Sequence, residues 1–223
     1  MRGEISSGRH AQRHPLDWYV EEGWEWDQIV TAIGLEAEIL ERVAIWDPAA
    51  GFGHSGSRLQ GIGFTGEIIL SDLVNNVAWE DFHWPDLARF FPADFLDDTT
   101  VAPPLPCSIF CNPPYSYRKG IAEDFVRQAL RLATHRVVML LPNKWLSSQA
   151  RYRLFMRDHP PATVLHFTQR PSMPPGDRIA LMGNRAYRGG MIDYCAIVWD
   201  VRAPTKPGET RTVWLPPLAG GEA

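Results

Sequence analysis

Two buried-looking apolar runs with one amphipathic segment between them constrain this chain most. Residues Ser108–Cys111 (SIFC) and Val137–Leu141 (VVMLL) read as strands, and the second is apolar at every position, as expected when both faces of a sheet are covered. Between them Ile121, Phe125, Ala129 and Leu132 fall on one face of a helix expected over 121–134. A strand, a helix and a second covered strand form a crossover unit of a parallel sheet.

The rest of the chain repeats the alternation. Trp24 to Ile39 reads as one or two short helices, Val43–Trp46 as a short buried strand, and Ser55–Ile62 as a helix. Glu67–Leu70 is a second strand, Trp84–Phe91 a short helix or turn, and Thr163–Phe167 and Tyr194–Trp199 are further strands. The expected fold class is α/β: one domain over residues 17–202, with a mainly parallel sheet and helices on both faces. Its length of 223 residues and 45% hydrophobic content suit one such domain. Residues 1–16 read as a flexible polar arm. Residues 203–223, rich in Pro and Gly, read as a tail that frays after a last short element near Thr212–Leu215.

Composition excludes several functions. No apolar run is long enough to span a membrane, and the N-terminus lacks the apolar segment of a secretory signal. The three cysteines, Cys107, Cys111 and Cys195, make no C-x-x-C pair and have no histidine cluster nearby, so no metal site is expected. Their odd, sparse count suits a reducing cytoplasm. Charge is divided unevenly: Val20–Pro114 holds 3 Lys/Arg against 16 Asp/Glu, whereas Tyr115–Gly190 holds 13 against 4. The sign change suggests that one face meets a polyanion.

In an open parallel sheet ligands bind beyond the carboxyl ends of the strands, which directs attention to Asp47, Asp72, Asn112 and Pro142. The turn IWDPAAGFGHSG places Asp47, Pro48, Ala49, Gly51 and Gly53 between a strand and a helix. It is neither the G-x-G-x-x-G of a dinucleotide site nor a P-loop, so the phosphate-cradling readings fail. Asp47 opens the turn with a carboxylate that suits a cation. Asp72, at the end of the next strand, stands where an acid commonly takes ribose hydroxyls. A ribose ligand with positive charge and no phosphate describes S-adenosyl-L-methionine. Asp94 is placed to accept from an adenine amino group, with Phe95 beside the ring. Each residue also has a plainer reading: a tight glycine turn, a helix cap at Asp72, a turn former at Asp94.

Asn112-Pro113-Pro114-Tyr115 ends the strand at Cys111. The Asn112 side-chain oxygen and the Pro113 carbonyl are two acceptors that can face one amino group. The amine of an aromatic base is a poor nucleophile because its lone pair is delocalised into the ring. Two acceptors drawing on its hydrogens favour a pyramidal nitrogen aimed at the methyl sulfonium, so catalysis is positioning and electrostatics. Tyr115 offers a stacking face for a base flipped out of its duplex, and Arg118 and Lys119 can hold neighbouring phosphates. A proline turn capping a strand is the plainer reading of the same residues.

Together these motifs resemble the N6-adenine DNA methyltransferases of bacteria and their phages, a family of class I amino-methyltransferases. The family's Asp-Pro-x-x-Gly-x-Gly is matched by Asp47, Pro48, Gly51 and Gly53, and its strand-end acid by Asp72. Its Asp-Phe-Leu segment is matched by Asp94, Phe95 and Leu96, and its catalytic Asn-Pro-Pro-Tyr by Asn112, Pro113, Pro114 and Tyr115. The resemblance covers about residues 18–199. It implies a Rossmann-like seven-stranded sheet, parallel except for a last hairpin strand, S-adenosyl-L-methionine as cofactor, and duplex DNA as partner with methylation at adenine N6. The segment HPLDWYVEEGW sits where the family often covers the methionine end of the cofactor. Relatives with the same four residues act on RNA bases or on protein glutamine, and a silent nucleic-acid-binding copy of the fold is a further alternative. The opening Asp-Pro favours DNA.

One departure concerns target recognition. Residues 168–190 form a Gly/Pro-rich loop in which Arg178, Arg185 and Arg188 are DNA-contact candidates, the plainer reading being a surface excursion. Lys144, Arg151 and Arg153 are candidates for phosphate contact, and Trp145 for wedging or packing. So small a recognition element leaves room for a short site, a homodimer or a specificity partner.

Overall fold

The computed structural model describes residues 14–81, 84, 88–115 and 117–218. Most of the arm expected over 1–16, part of the 84–91 segment and the last five residues lie outside them. Among the described residues eight strands form one sheet: β1 (Ala44–Asp47), β2 (Ile68–Asp72), β3 (Ala88–Pro92), β4 (Cys107–Cys111), β5 (Arg136–Pro142), β6 (Thr163–Phe167), β7 (Tyr194–Asp200) and β8 (Arg211–Leu215). Their order is β3-β2-β1-β4-β5-β7-β6-β8. β3, β2, β1, β4 and β5 run parallel, and β7 is antiparallel to both β5 and β6.

The central strands are covered on both sides, as their composition demands. Along β4, Cys107, Ile109 and Cys111 enter one apolar cluster and Phe110 the other. Along β5, Val137, Met139 and Leu141 alternate in the same way with Val138 and Leu140. Among the described residues four helices precede β5: α1 (Trp24–Ile33), α2 (Glu36–Leu40), α3 (His54–Gly61) and α4 (Ile121–Leu132). The first cluster is closed by α4, the crossover between β4 and β5. Ile121, Phe125, Ala129 and Leu132 are all buried on the face that the sequence spacing marks. The second cluster takes Trp26, Ile29 and Val30 from α1 and Leu59 from α3.

Two segments differ from expectation. Residues 88–92 form a strand where the sequence suggests a helix or turn. β3 is an edge strand whose side chains are half-buried or exposed, so it lacks the continuous apolar signal of β4 and β5. The short element expected near Thr212–Leu215 is β8, which joins the sheet as an eighth strand where the resemblance implies seven: it pairs with β6 over five positions, parallel, and Leu215 is buried. Beyond β5, α5 (Gln149–Arg153) leads into one π-helical turn, and the Arg170–Gly190 stretch contains the single-turn helix α6 (Ile179–Met182). No described helix is long and apolar enough to cross a membrane.

An ion pair ties α2 to the amino ends of the strands. Glu38 is fully buried and accepts from Arg136 Nε at 2.6 Å and from the Ser108 hydroxyl at 2.9 Å. The same guanidinium donates to the carbonyls of Ile33, at 3.1 Å, and Gly34, at 2.7 Å. Removing one partner leaves a buried charge uncompensated. Arg136→Ala is therefore expected to lower unfolding free energy by about 3–5 kcal/mol, whereas Glu38→Leu with Arg136→Met costs much less. Denaturant midpoints of the two variants measure the difference; equal losses would show that the charge is not the cause.

Candidate functional site

The strands β1, β2 and β4 end side by side, and the turns leaving their carboxyl ends build the site. Asp47, buried at the end of β1, accepts from Ala49 N at 3.0 Å through Oδ1 and from the Ser55 hydroxyl through Oδ2. It clamps the glycine turn from beneath and does not line the cavity above. Burial pushes its carboxyl up to about 7. Gly51 has φ 51° and its N–H donates to Asp72 Oδ2 at 3.0 Å, joining the β1 turn to the end of β2. Gly53, at φ 85°, lies so close to the Trp84 ring that a Cβ would sit 2.7 Å from it. Both glycines are thus required by conformation or space.

Above this turn lies a cavity of about 300 Å³. Its floor is Pro48–Phe52, one wall is Asp72–Val74, and another is Ala93–Phe95. Four carboxylates line it, Asp17, Glu21, Asp72 and Asp94, and no Lys or Arg does so among the described residues. Burial raises the Asp72 carboxyl above its ordinary range. Asp94 is exposed and also closes a local turn, accepting from Leu96 N at 2.9 Å. Phe95 belongs largely to the core: it packs edge-on to Trp46 at 5.3 Å and against Phe125 at 5.1 Å, and only reaches the cavity wall.

Asn112 comes directly after β4 and forms part of this cavity, as does Pro114; Pro113 is buried. The Asn112 amide is held from both ends. Its Nδ2 donates to Glu21 Oε2 at 2.6 Å and to the Tyr19 carbonyl at 3.2 Å, with Met173 Sδ 3.7 Å away. Its Oδ1 accepts from the Tyr115 hydroxyl. Burial holds that hydroxyl un-ionised well above the usual phenol range. Glu21 itself is buried, and its other oxygen accepts from Trp26 Nε1 at 2.8 Å. Sequence reasoning missed Glu21. Only the fold brings it to Asn112, 91 positions away.

A second cavity, of about 500 Å³, adjoins the first at Tyr19. Tyr115 and Tyr194 form one wall, their rings 6.0 Å apart and inclined at 52°. The Arg151 guanidinium lies 4.7 Å over the Trp145 ring on another. Trp145 Nε1 and Arg151 Nε are buried without a hydrogen-bond partner among the described residues. Lys144 stands exposed at the rim. Tyr19 lines both cavities; Asn112 lines only the first, and reaches the second through its contacts with Tyr115 and Met173, which line it.

Residues 17–21 and the loop after β6 cover the junction together. Tyr19 forms an antiparallel bridge with Pro175; Val20 N donates to Pro174 O at 3.0 Å, and Gly176 N to Trp18 O at 3.0 Å. Gly176 packs on the Trp18 ring so closely that a Cβ would come within 2.3 Å. The Arg-rich loop is thereby anchored beside the second cavity. Its Arg178, Arg185 and Arg188 are exposed and in no ion pair among the described residues, while Arg170 pairs with Asp193 at 2.7 Å. Arg118 is engaged locally with Asp124 at 2.6 Å, Lys119 is exposed, and Arg153 pairs with Asp158 at 3.7 Å. No group of three or more potential metal-ligating side chains occurs among the described residues.

No family model and no curated protein sequence matches the chain. Solved structures do. A candidate RNA methyltransferase from Pyrococcus horikoshii superposes with a TM-score of 0.58 at 16% identity, over 83% of this chain and 87% of that one. The methyltransferase subunit of a type I restriction-modification system from Streptococcus thermophilus gives 0.54 at 14% identity, over 86% of this chain and 45% of the subunit. A geranyl diphosphate methyltransferase solved with S-adenosylmethionine gives 0.51 at 17% identity, over 80% and 85%. The chain therefore has the mainly parallel α/β fold that these methyltransferases share.

Proposed function

We propose that this protein transfers a methyl group from S-adenosyl-L-methionine to the exocyclic N6 amine of adenine in DNA. The observation that carries the reading is a pair of cavities that share Tyr19, with Asn112 lining the first and hydrogen-bonded to Tyr115 of the second; the first is lined by acids, the second by aromatic rings and cations. The acid-lined cavity fits the cofactor. Carboxylates at Asp72 and Asp94 are suited to ribose hydroxyls and an amino-substituted ring, and Asp17 and Glu21 favour positive charge. A phosphate would meet four carboxylates there and, among the described residues, no Lys or Arg. Gly51 and Gly53 let the backbone form the floor without a side chain in the way. S-adenosyl-L-methionine, when bound, supplies the activated methyl group.

The chain's own residues do the rest. Asn112 Oδ1 and the Pro113 carbonyl hold the hydrogens of the amine, which leaves its lone pair free to point toward the first cavity. For this the Tyr115 hydroxyl, which occupies Asn112 Oδ1 in the structure, yields its place to the amine. The Tyr115 ring then supplies a flat face in the second cavity, with Trp145 and Tyr194 excluding water. A base reaches this cavity by flipping out of the duplex. Lys144 and Arg151 line the second cavity and Arg178, Arg185 and Arg188 are exposed on the adjoining loop; in this reading these cations hold the backbone. Lys119 lies exposed beyond Tyr117, which lines the first cavity, and Arg118 must leave Asp124 to take part.

The deciding experiment incubates the protein with labelled cofactor and, in parallel, duplex DNA, single-stranded DNA, RNA and protein, then identifies the methylated atom. Label on adenine N6 of DNA is expected; label only on RNA or glutamine would reassign the substrate. At a hundredfold excess over Kd, cofactor should stabilise the fold by about 2.7 kcal/mol, raising Tm by roughly 5–10 °C. No shift at saturation would remove the first cavity from the reading. Asn112→Ala should lower kcat by at least about 10²-fold while calorimetry finds cofactor binding intact. Replacing Arg178, Arg185 and Arg188 together should weaken DNA binding and flatten the plot of log K against log salt by up to about 2.7. An unchanged slope would make the loop a bystander.

A further inference from the structure

The geometry points to Glu21 as the residue that fixes which end of the Asn112 amide faces the substrate. This inference rests on the reading of Asn112 as the acceptor for an amine. An asparagine amide is nearly symmetric in shape and opposite in function at its two ends: one accepts, the other donates. Turned over, Asn112 would present an NH₂ to the incoming amine, donor against donor. Something must therefore hold the amide one way round.

Its own turn does not. Tyr115 bonds Asn112 Oδ1 through a hydroxyl, and a hydroxyl can donate or accept, so it tolerates either orientation. Met173 Sδ is a weak acceptor at 3.7 Å. The discriminating groups are two pure acceptors, Glu21 Oε2 at 2.6 Å and the Tyr19 carbonyl at 3.2 Å, both receiving Nδ2. Either oxygen would repel Oδ1 if the amide turned. The carboxylate is the stronger of the two, since hydrogen bonds to a charged acceptor are about twice as strong as neutral ones. Glu21 is in turn held by Trp26 Nε1, a donor that cannot accept, on its second oxygen. The chain of roles runs one way: Trp26 donates to Glu21, Glu21 receives Asn112, and Asn112 Oδ1 is left facing Tyr115, which lines the second cavity. Glu21 is a positioning residue in this scheme and touches no reacting atom.

Glu21→Gln tests the assignment with little change of shape. A glutamine offers one oxygen where two donors converge, so its NH₂ must face either Trp26 or Asn112. The conflict is relieved when Asn112 turns over, which withdraws Oδ1 from Tyr115. The expected result is a fall in kcat of about 10²-fold with cofactor affinity unchanged. The exposed neighbour Glu22 provides the control, and Glu22→Gln should leave both values as they are. Adding Asn112→Asp to Glu21→Gln should recover part of the loss. The new carboxylate accepts from the glutamine amide on one side and still presents an oxygen to the substrate on the other.

A second readout does not depend on turnover. The side-chain NH₂ resonances of Asn112, identified by their loss in Asn112→Ala, should be shifted downfield and slow to exchange in the native protein. In Glu21→Gln they should move toward free-amide values. Resonances that do not move in Glu21→Gln would overturn the proposal, whatever happens to the rate. A fall in kcat matched by an equal loss of cofactor affinity would also overturn it, making Glu21 a cofactor ligand. If the native protein methylates no nucleic acid, the proposed function fails, and the resonances alone decide whether Glu21 orients the amide.

Discussion

Parallel pairing of β1, β4 and β5 is the constraint on which the site depends. Parallel neighbours cannot be joined by a tight turn, so each must be succeeded by a crossover that returns the chain to the opposite end of the sheet. Every strand of the set therefore delivers its carboxyl end to one edge. Asp47, Asp72 and Asn112 come together there although the sequence spreads them over 66 positions. The covering of both faces makes the edge rigid: alternate residues of β4 and β5 are locked into separate apolar layers, and a one-residue slip would turn both layers inside out.

Within that edge the legible features were those whose chemistry is local. The Asp47–Gly53 turn could be read because it needs positive φ at two glycines within three positions, and sequence records this directly. β4, α4 and β5 could be read because full burial and helical period leave clear patterns. The unread parts are those whose character comes from distant neighbours. β3 is an edge strand of half-buried and exposed residues, so only its pairing to β2 makes it a strand; β8 was legible only as a short element near Thr212–Leu215, and its pairing to β6 is what adds it to the sheet. Glu21 is one acid among several in an acidic half of the chain, and nothing in its spacing distinguishes it from exposed Glu22 beside it. Asp47, expected to face a ligand, instead serves the turn through Ala49 and Ser55. A strand-end acid can do either, and only the packing of α3 against the turn decides.

The uneven charge of the sequence acquires a location in the fold. The acids that line the first cavity, Asp17, Glu21, Asp72 and Asp94, all precede Asn112. The cations at the second cavity and on its loop, Lys144, Arg151, Arg178, Arg185 and Arg188, all come after it. Asn112 stands at the boundary in sequence and in space. Such a division suits a reaction between a cationic donor and a polyanionic acceptor, because each side attracts its own ligand and repels the other's. A nucleic-acid phosphate that strayed into the first cavity would meet four carboxylates and, among the described residues, no Lys or Arg.

The same asymmetry bears on turnover under the proposed reaction. Methyl transfer converts a sulfonium into a neutral thioether, so the attraction between the acid-lined cavity and the donor weakens as the reaction proceeds. An enclosure of low dielectric enlarges that difference. Ionised acids around the donor therefore stabilise its binding more than they stabilise the spent product, which favours exchange over product inhibition. They also oppose loss of positive charge in the transition state. That opposing effect falls least on acids far from the sulfur. Asp72 and Asp94 sit at the walls formed after β2 and β3, while Glu21, hydrogen-bonded to Asn112, is occupied at both oxygens by Trp26 and Asn112. Hydrogen bonds to both oxygens disperse its charge where it would hinder the reaction most.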